Sequence, residues 1–128
     1  MQKLMLLSAI SSVILLAQNP YYYKNNHKID LEPVNNMERG LQGVKYYKNA
    51  NGMLLGVDKN ILVKIKEESD INSYTVKYKL KEVNRLTPTL YLVKNMGKRD
   101  TLDVANMLAK EEGVVYAHPD FIKQMFGR

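Results

Sequence analysis

Apolar positions along the chain recur at two periods, and the switches between them outline its elements. Tyr21-Tyr22-Tyr23-Lys24, Asn25-Asn26 and His27 to Leu31 predict a hairpin, with Ile29 and Leu31 alternating against polar neighbours. Asparagine tolerates the positive φ that a two-residue turn demands. Pro33 ends the second strand, and the polar stretch Glu32 to Gln42 reads as a connector. Val44 to Tyr47 and Met53 to Val57 flank Lys48-Asn49-Ala50-Asn51-Gly52, a second hairpin with glycine in its loop. Ile61, Leu62, Val63 and Ile65 predict a strand buried on at least one face. Glu67-Glu68-Ser69-Asp70 suits a helix start, with Ser69 or Asp70 as cap and acids near the positive end.

The next segment carries both periods. Ile71, Tyr74, Thr75 and Tyr78 fit one helical face, whereas Tyr74, Val76, Tyr78 and Leu80 alternate as a strand would. Propensity favours strand. Val83 to Leu86 and Leu90 to Lys94 are strands around the break Thr87-Pro88-Thr89, and Asn95 to Arg99 is a loop. Asp100 or Thr101 caps a helix with Leu102, Ala105, Leu108 and Ala109 as its buried face. Gly113 is its expected stop, and Val114 to Ala117 is a last strand ended by Pro119. Taking Asp70 to about Tyr78 as helix makes the order β-α-β-β-α-β, a ferredoxin-like split arrangement. That topology decides for helix against propensity. The expected class is therefore α+β: a four-stranded antiparallel sheet with two helices on one face and the other face free. Beyond it, Phe121-Ile122-Lys123-Gln124-Met125-Phe126-Gly127-Arg128 is a tail with no obvious core position to fill.

Composition changes this picture at the front of the chain. Lys3, the apolar run Leu4 to Leu16 interrupted by three serines, and the small residue Ala17 have the layout of a secretory signal peptide cleaved at Ala17. The run is shorter than the ~20 residues of a membrane span. Export to a secreted or periplasmic location follows, with no stable membrane association once the signal is removed. Residues 1–17 contain only Lys3 of the 19 basic groups, which leaves 18 against 13 acidic groups, net +5. Lys64, Lys66, Lys77, Lys79 and Lys81 alternate with other residues as a solvated face does. With no cysteine, no disulfide or thiol chemistry is available.

Candidate chemistry is sparse. His27 and His118 are the two histidines, far apart and in no metal spacing. Glu111-Glu112 closes a helix, and no phosphate-binding glycine loop occurs. The expectation is no catalytic residue, no metal, no cofactor, no small-molecule substrate and no enzyme activity.

Ile61 to Lys66, Leu90 to Val93, the helix Leu102 to Ala109 and above all Val115-Tyr116-Ala117-His118-Pro119-Asp120-Phe121 resemble the N-terminal propeptide of subtilisin-like serine proteases. The hairpins at Tyr21–Tyr23 and Tyr46-Tyr47 are similar to the extension that larger bacterial members carry. The resemblance divides the chain into a signal peptide (1–17), a hairpin extension (18–58), a propeptide-like domain (59–120) and an extended tail (121–128). It implies the same ferredoxin-like fold and a role as intramolecular chaperone and peptidase inhibitor of a subtilisin-like serine protease. The open sheet face would pack on the enzyme, and the tail would lie in the substrate cleft as an added strand.

Carried over residue by residue, the protease-binding segment is Lys123, Gln124, Met125, Phe126, Gly127 and Arg128. With Arg128 as the end, Met125 takes the apolar pocket and Arg128 sits beside the nucleophile. Counting from the last strand instead puts Lys123 in that pocket and Phe126 beside the nucleophile. The first register places the apolar group better. The family's acids between its second and third strands are missing, since Thr87-Pro88-Thr89 stands there. No catalytic-domain motif follows, so the alternative is the front fragment of a truncated secreted protease. A third reading is a basic nucleic-acid-binding module using Lys64, Lys66 and Tyr91; the protease reading excludes nucleic acid as partner.

Overall fold

A computed structural model of the chain describes residues 19–35 and 40–124. The expected signal and its cleavage at Ala17 fall outside them, as do Met125 to Arg128. The described chain is α+β, with antiparallel strand pairs and two α-helices.

Strands β1 (Tyr21–Lys24) and β2 (His27–Asp30) form the first hairpin, and its turn residues Asn25 and Asn26 have φ of 51° and 64°. β3 (Glu32–Val34), β4 (Lys45–Lys48) and β5 (Leu54–Val57) follow. The stretch expected to be a connector thus contains a strand. Pro33 is tolerated there because β3 is a sheet edge, where a missing N–H breaks no ladder. The β4–β5 loop turns through Gly52, at φ 79°, and the Asn49 carboxamide oxygen accepts from the N–H groups of Asn51 and Met53.

β6 (Asn60–Ile65), a 3-10 turn at Glu68–Asp70, α1 (Ile71–Tyr78), β7 (Leu80–Thr87), β8 (Leu90–Asn95), α2 (Thr101–Ala109) and β9 (Val114–Pro119) make up the main unit. Its sheet order is β7-β8-β6-β9, all neighbours antiparallel. The ambiguous segment is helical because Ile71 and Tyr78 both reach the core from one face, leaving Val76 80% exposed. Lys79, left-handed at φ 55°, ends the helix so that Leu80 can turn inward. Its fully buried core brings together Ile61, Val63, Ile65, Val93, Val104 and Leu108.

Two cap expectations need correction. Asp100 occupies the cap position of α2 but makes no side-chain cap bond; its carboxylate instead accepts from Lys45 Nζ at 2.7 Å. Gly113 does not stop the helix through positive φ, for α2 ends at Ala109 with Lys110 right-handed. Glycine is needed at 113 for closeness: a Cβ there would lie 2.3 Å from the Tyr74 hydroxyl.

A second core of Leu31, Tyr47, Leu55, Val57 and Leu102 lies on the other side of α2. Helix α2 therefore buries two faces, Val104, Ala105 and Leu108 to the main sheet and Leu102 to the accessory layer. Val104 and Asn106 are also buried, although the spacing of Leu102, Ala105, Leu108 and Ala109 left them out: Val104 belongs to the main core and Asn106 faces the first hairpin. Asn106 Nδ2 donates to the Tyr21 carbonyl at 2.8 Å, pinning the first hairpin to the helix.

Candidate protein-docking surface

Cross-strand partners share a sheet face, so the register sorts the main sheet into two sides. Ile61, Val63, Tyr91, Val93 and Ala117 point to the helices and are buried. Leu62 pairs with Leu92 and His118, and Lys64 with Leu90 and Tyr116, on the opposite side. These six are half-buried and belong to neither core. The Tyr116 and His118 rings stack at 5.8 Å along one margin of that face. Lys94 pairs with Lys81 toward the other margin, where a bulge leaves Val83 52% exposed. The result is an apolar centre of leucines with a basic and aromatic rim. An apolar-centred, polar-rimmed face suits association with another protein.

The tail departs from expectation. Phe121, read as having no core position, packs edge-on against Tyr22 with ring centroids 4.8 Å apart and joins the second core. Ile122–Gln124 form β10, which pairs antiparallel with β5: Ile122 opposite Gly56, Lys123 opposite Leu55, Gln124 opposite Leu54. The accessory sheet order is β10-β5-β4-β3, so β10 is an edge strand with one side of its backbone unpaired. Gly56 permits the approach, because a Cβ there would come within 3.3 Å of Ile122 Cβ and 2.9 Å of Val44 Cγ1. Of the tail residues assigned to protease binding, Lys123 and Gln124 are thus laid on the molecule's own sheet. Met125, Phe126, Gly127 and Arg128 are outside the described residues. The signal for this docking was the run Leu54-Leu55-Gly56-Val57, whose lack of alternation marks a strand covered on both faces.

Charge around the accessory layer is paired locally. The Lys45–Asp100 bridge holds the ammonium above its ordinary pKa, chiefly through that hydrogen bond. Burial pushes the phenols of Tyr47 and Tyr22 upward. At the other end of α2, Glu111 accepts from Lys77 Nζ at 2.7 Å and from the Tyr78 hydroxyl at 2.6 Å, and its carboxyl falls below the usual range in consequence. Arg85 pairs with Glu68. Tyr91, which a base-stacking surface would need exposed, is 1% exposed and donates its hydroxyl to the Pro88 carbonyl. Among the described residues no cluster of three metal-ligating side chains occurs, and no helix is long and apolar enough to cross a membrane.

No protein-family model, curated protein or solved structure matches the chain. The leucine-centred face and the folded-back strand are therefore the features on which a functional reading rests.

Proposed function

We propose that the chain is a propeptide-like, non-catalytic partner of a subtilisin-like serine protease, acting as folding assistant and temporary inhibitor. The uncovered sheet face of Leu62, Leu90 and Leu92 carries this reading, together with the sequence resemblance at Val115 to Phe121. The strand order β7-β8-β6-β9, with α1 and α2 packed on the opposite face, favours a ferredoxin-like assignment. On this reading the leucines meet apolar helices of the protease, and residues 1–17 direct export.

The position of β10 refines the cleft contact. Chain up to Gln124 is held on β5, so the segment entering the cleft begins at Met125. That favours the register with Met125 in the apolar pocket and Arg128 beside the nucleophile. The rival register, with Lys123 in the pocket, would first require β10 to be stripped from β5. Main-chain pairing in the cleft provides affinity, while alternate side chains provide fit. A contact of the standard size of a specific interface, ~1,600 Å² in total, would suffice for tight binding.

The test is inhibition of a subtilisin-type protease by the chain lacking residues 1–17. Slow, tight inhibition is expected, lost when residues 125–128 are deleted and weakened by Leu62→Glu on the sheet face. Full inhibition after both changes would refute the reading.

A further inference from the structure

A cavity of about 460 Å³ opens where the C-terminal end of α1 meets the loop after β8. Lys77, Lys79, Lys98 and Arg99 line it with Asn95 and Met96, and no carboxylate is among the lining residues. Lys77 is paired with Glu111, which leaves Lys79, Lys98 and Arg99, from two separate segments, among the residues lining one concavity.

The walls are built and held. Asn95 is 3% exposed, and its amide nitrogen donates to the Arg99 carbonyl at 2.7 Å, while its side-chain oxygen accepts from Gly97 N–H. The Met96 N–H donates to the Lys79 carbonyl at 2.9 Å, tying loop to helix end. Lys79 Cβ lies 3.5 Å from where a Gly97 Cβ would stand, so the lysine stem rests on a glycine that leaves it room.

One fact sets this apart from lysines that merely balance a helix end. Lys79 takes the left-handed cap position at φ 55°, where glycine is the residue without a steric cost. A charged side chain kept in a strained backbone position points to use of that charge. Among the described residues Arg99 makes a soft side-chain contact, from Nη1 to Met107 Sδ at 3.9 Å, which leaves its guanidinium available to an oxyanion.

We propose that this pocket binds a phosphate-class oxyanion, with Lys79, Lys98 and Arg99 as its charged partners, whether the phosphate is free or borne on a lipid headgroup. The site adjoins the end of the sheet at which β6 starts, two strands from β9, and is separate from the leucine face.

The experiment titrates the full chain with inorganic tripolyphosphate by calorimetry at low ionic strength, beside a Lys79→Gly/Lys98→Gln/Arg99→Gln variant. Wild-type binding at millimolar concentration that weakens roughly tenfold or more in the variant is expected, as for loss of charge-assisted contacts. Lys79→Gly alone relieves backbone strain, so its melting temperature should not fall, which separates lost binding from lost folding. Sedimentation with phosphatidylglycerol vesicles against phosphatidylcholine vesicles then identifies the source: retention on the anionic vesicles alone, lost in the variant, assigns a headgroup, and no retention assigns free phosphate. Absence of binding by wild type, or equal binding by the triple variant, overturns the proposal. Protease inhibition by the variant should be unchanged, so the two readings fail independently.

Discussion

At the scale of single residues, the hydrogen bonds of Glu111 with Lys77 and Tyr78 couple the fold to pH. The Glu111 carboxyl is lowered first by the Lys77 hydrogen bond and then by that of Tyr78. A carboxyl lowered in the fold stabilises above its ordinary pKa of 4.5, and that contribution is lost as pH falls through the folded value. Asp103 has the opposite sign: burial, then the charge of Asp100, raises it, so its ionised form opposes folding at neutral pH. Thermal melts across the acid range should therefore show a shallower loss of stability in Glu111→Gln, whereas Asp103→Asn should melt higher than wild type at pH 7. Gly113 supplies a steric test. Gly113→Ala pushes a methyl into the Tyr74 hydroxyl and is expected to cost about 1–3 kcal/mol. Tyr74→Phe removes that oxygen, so the double variant should recover part of the loss in chemical denaturation. The sequence marked Gly113 as special, but for its φ rather than its neighbour, because only a folded helix α1 brings Tyr74 against it.

Among elements, α2 and β10 decide how the layers join. Leu102 is 3% exposed within the second core, and Leu102→Ala should cost about 2–5 kcal/mol through the cavity it leaves. The helix itself was legible from three- and four-residue spacing. Its wider burial was not, since Asn95 at the end of β8 meets Thr101 and the first hairpin meets Asn106 without changing the hydrophobic period. Strand β10 was read as a free arm for a related reason: three residues with one lysine give no period to detect. Gly56→Ala should crowd Val44, the ring edge of Tyr46 and Ile122 Cβ, and amide exchange at residues 122–124, on the sheet edge, should accelerate more than exchange in β4. Equal acceleration in both strands would mean that β10 is not held by this contact.

For the whole molecule, two cores share one helix, which predicts a single cooperative transition. Tyrosine fluorescence reports on both units, through Tyr46 and Tyr47 in the accessory layer and Tyr74, Tyr78, Tyr91 and Tyr116 in the main one, whereas the α-helical far-ultraviolet dichroism comes from α1 and α2 of the main unit. The two signals should unfold at the same denaturant midpoint, and separate midpoints would divide the chain into independent units. Without disulfides, this shared helix, the pairing of β10 with β5, the Tyr22–Phe121 contact and the Lys45–Asp100 and Asn106–Tyr21 hydrogen bonds join the layers. The leucine-centred sheet face remains outside both cores, and the proposed partner would cover it.

By itself the sequence determines the strands and the second helix between Ile61 and Pro119, the two-asparagine turn and the class of fold. Those depend on side-chain period and on backbone preferences that act within a few residues. Tertiary structure alone decides that residues 71–78 are helical against their strand propensity, that α2 is buried on two sides, and that Phe121 to Gln124 return to β5. Each of these turns on contacts between segments distant in the chain, where burial of apolar surface and completion of backbone pairing outweigh local preference.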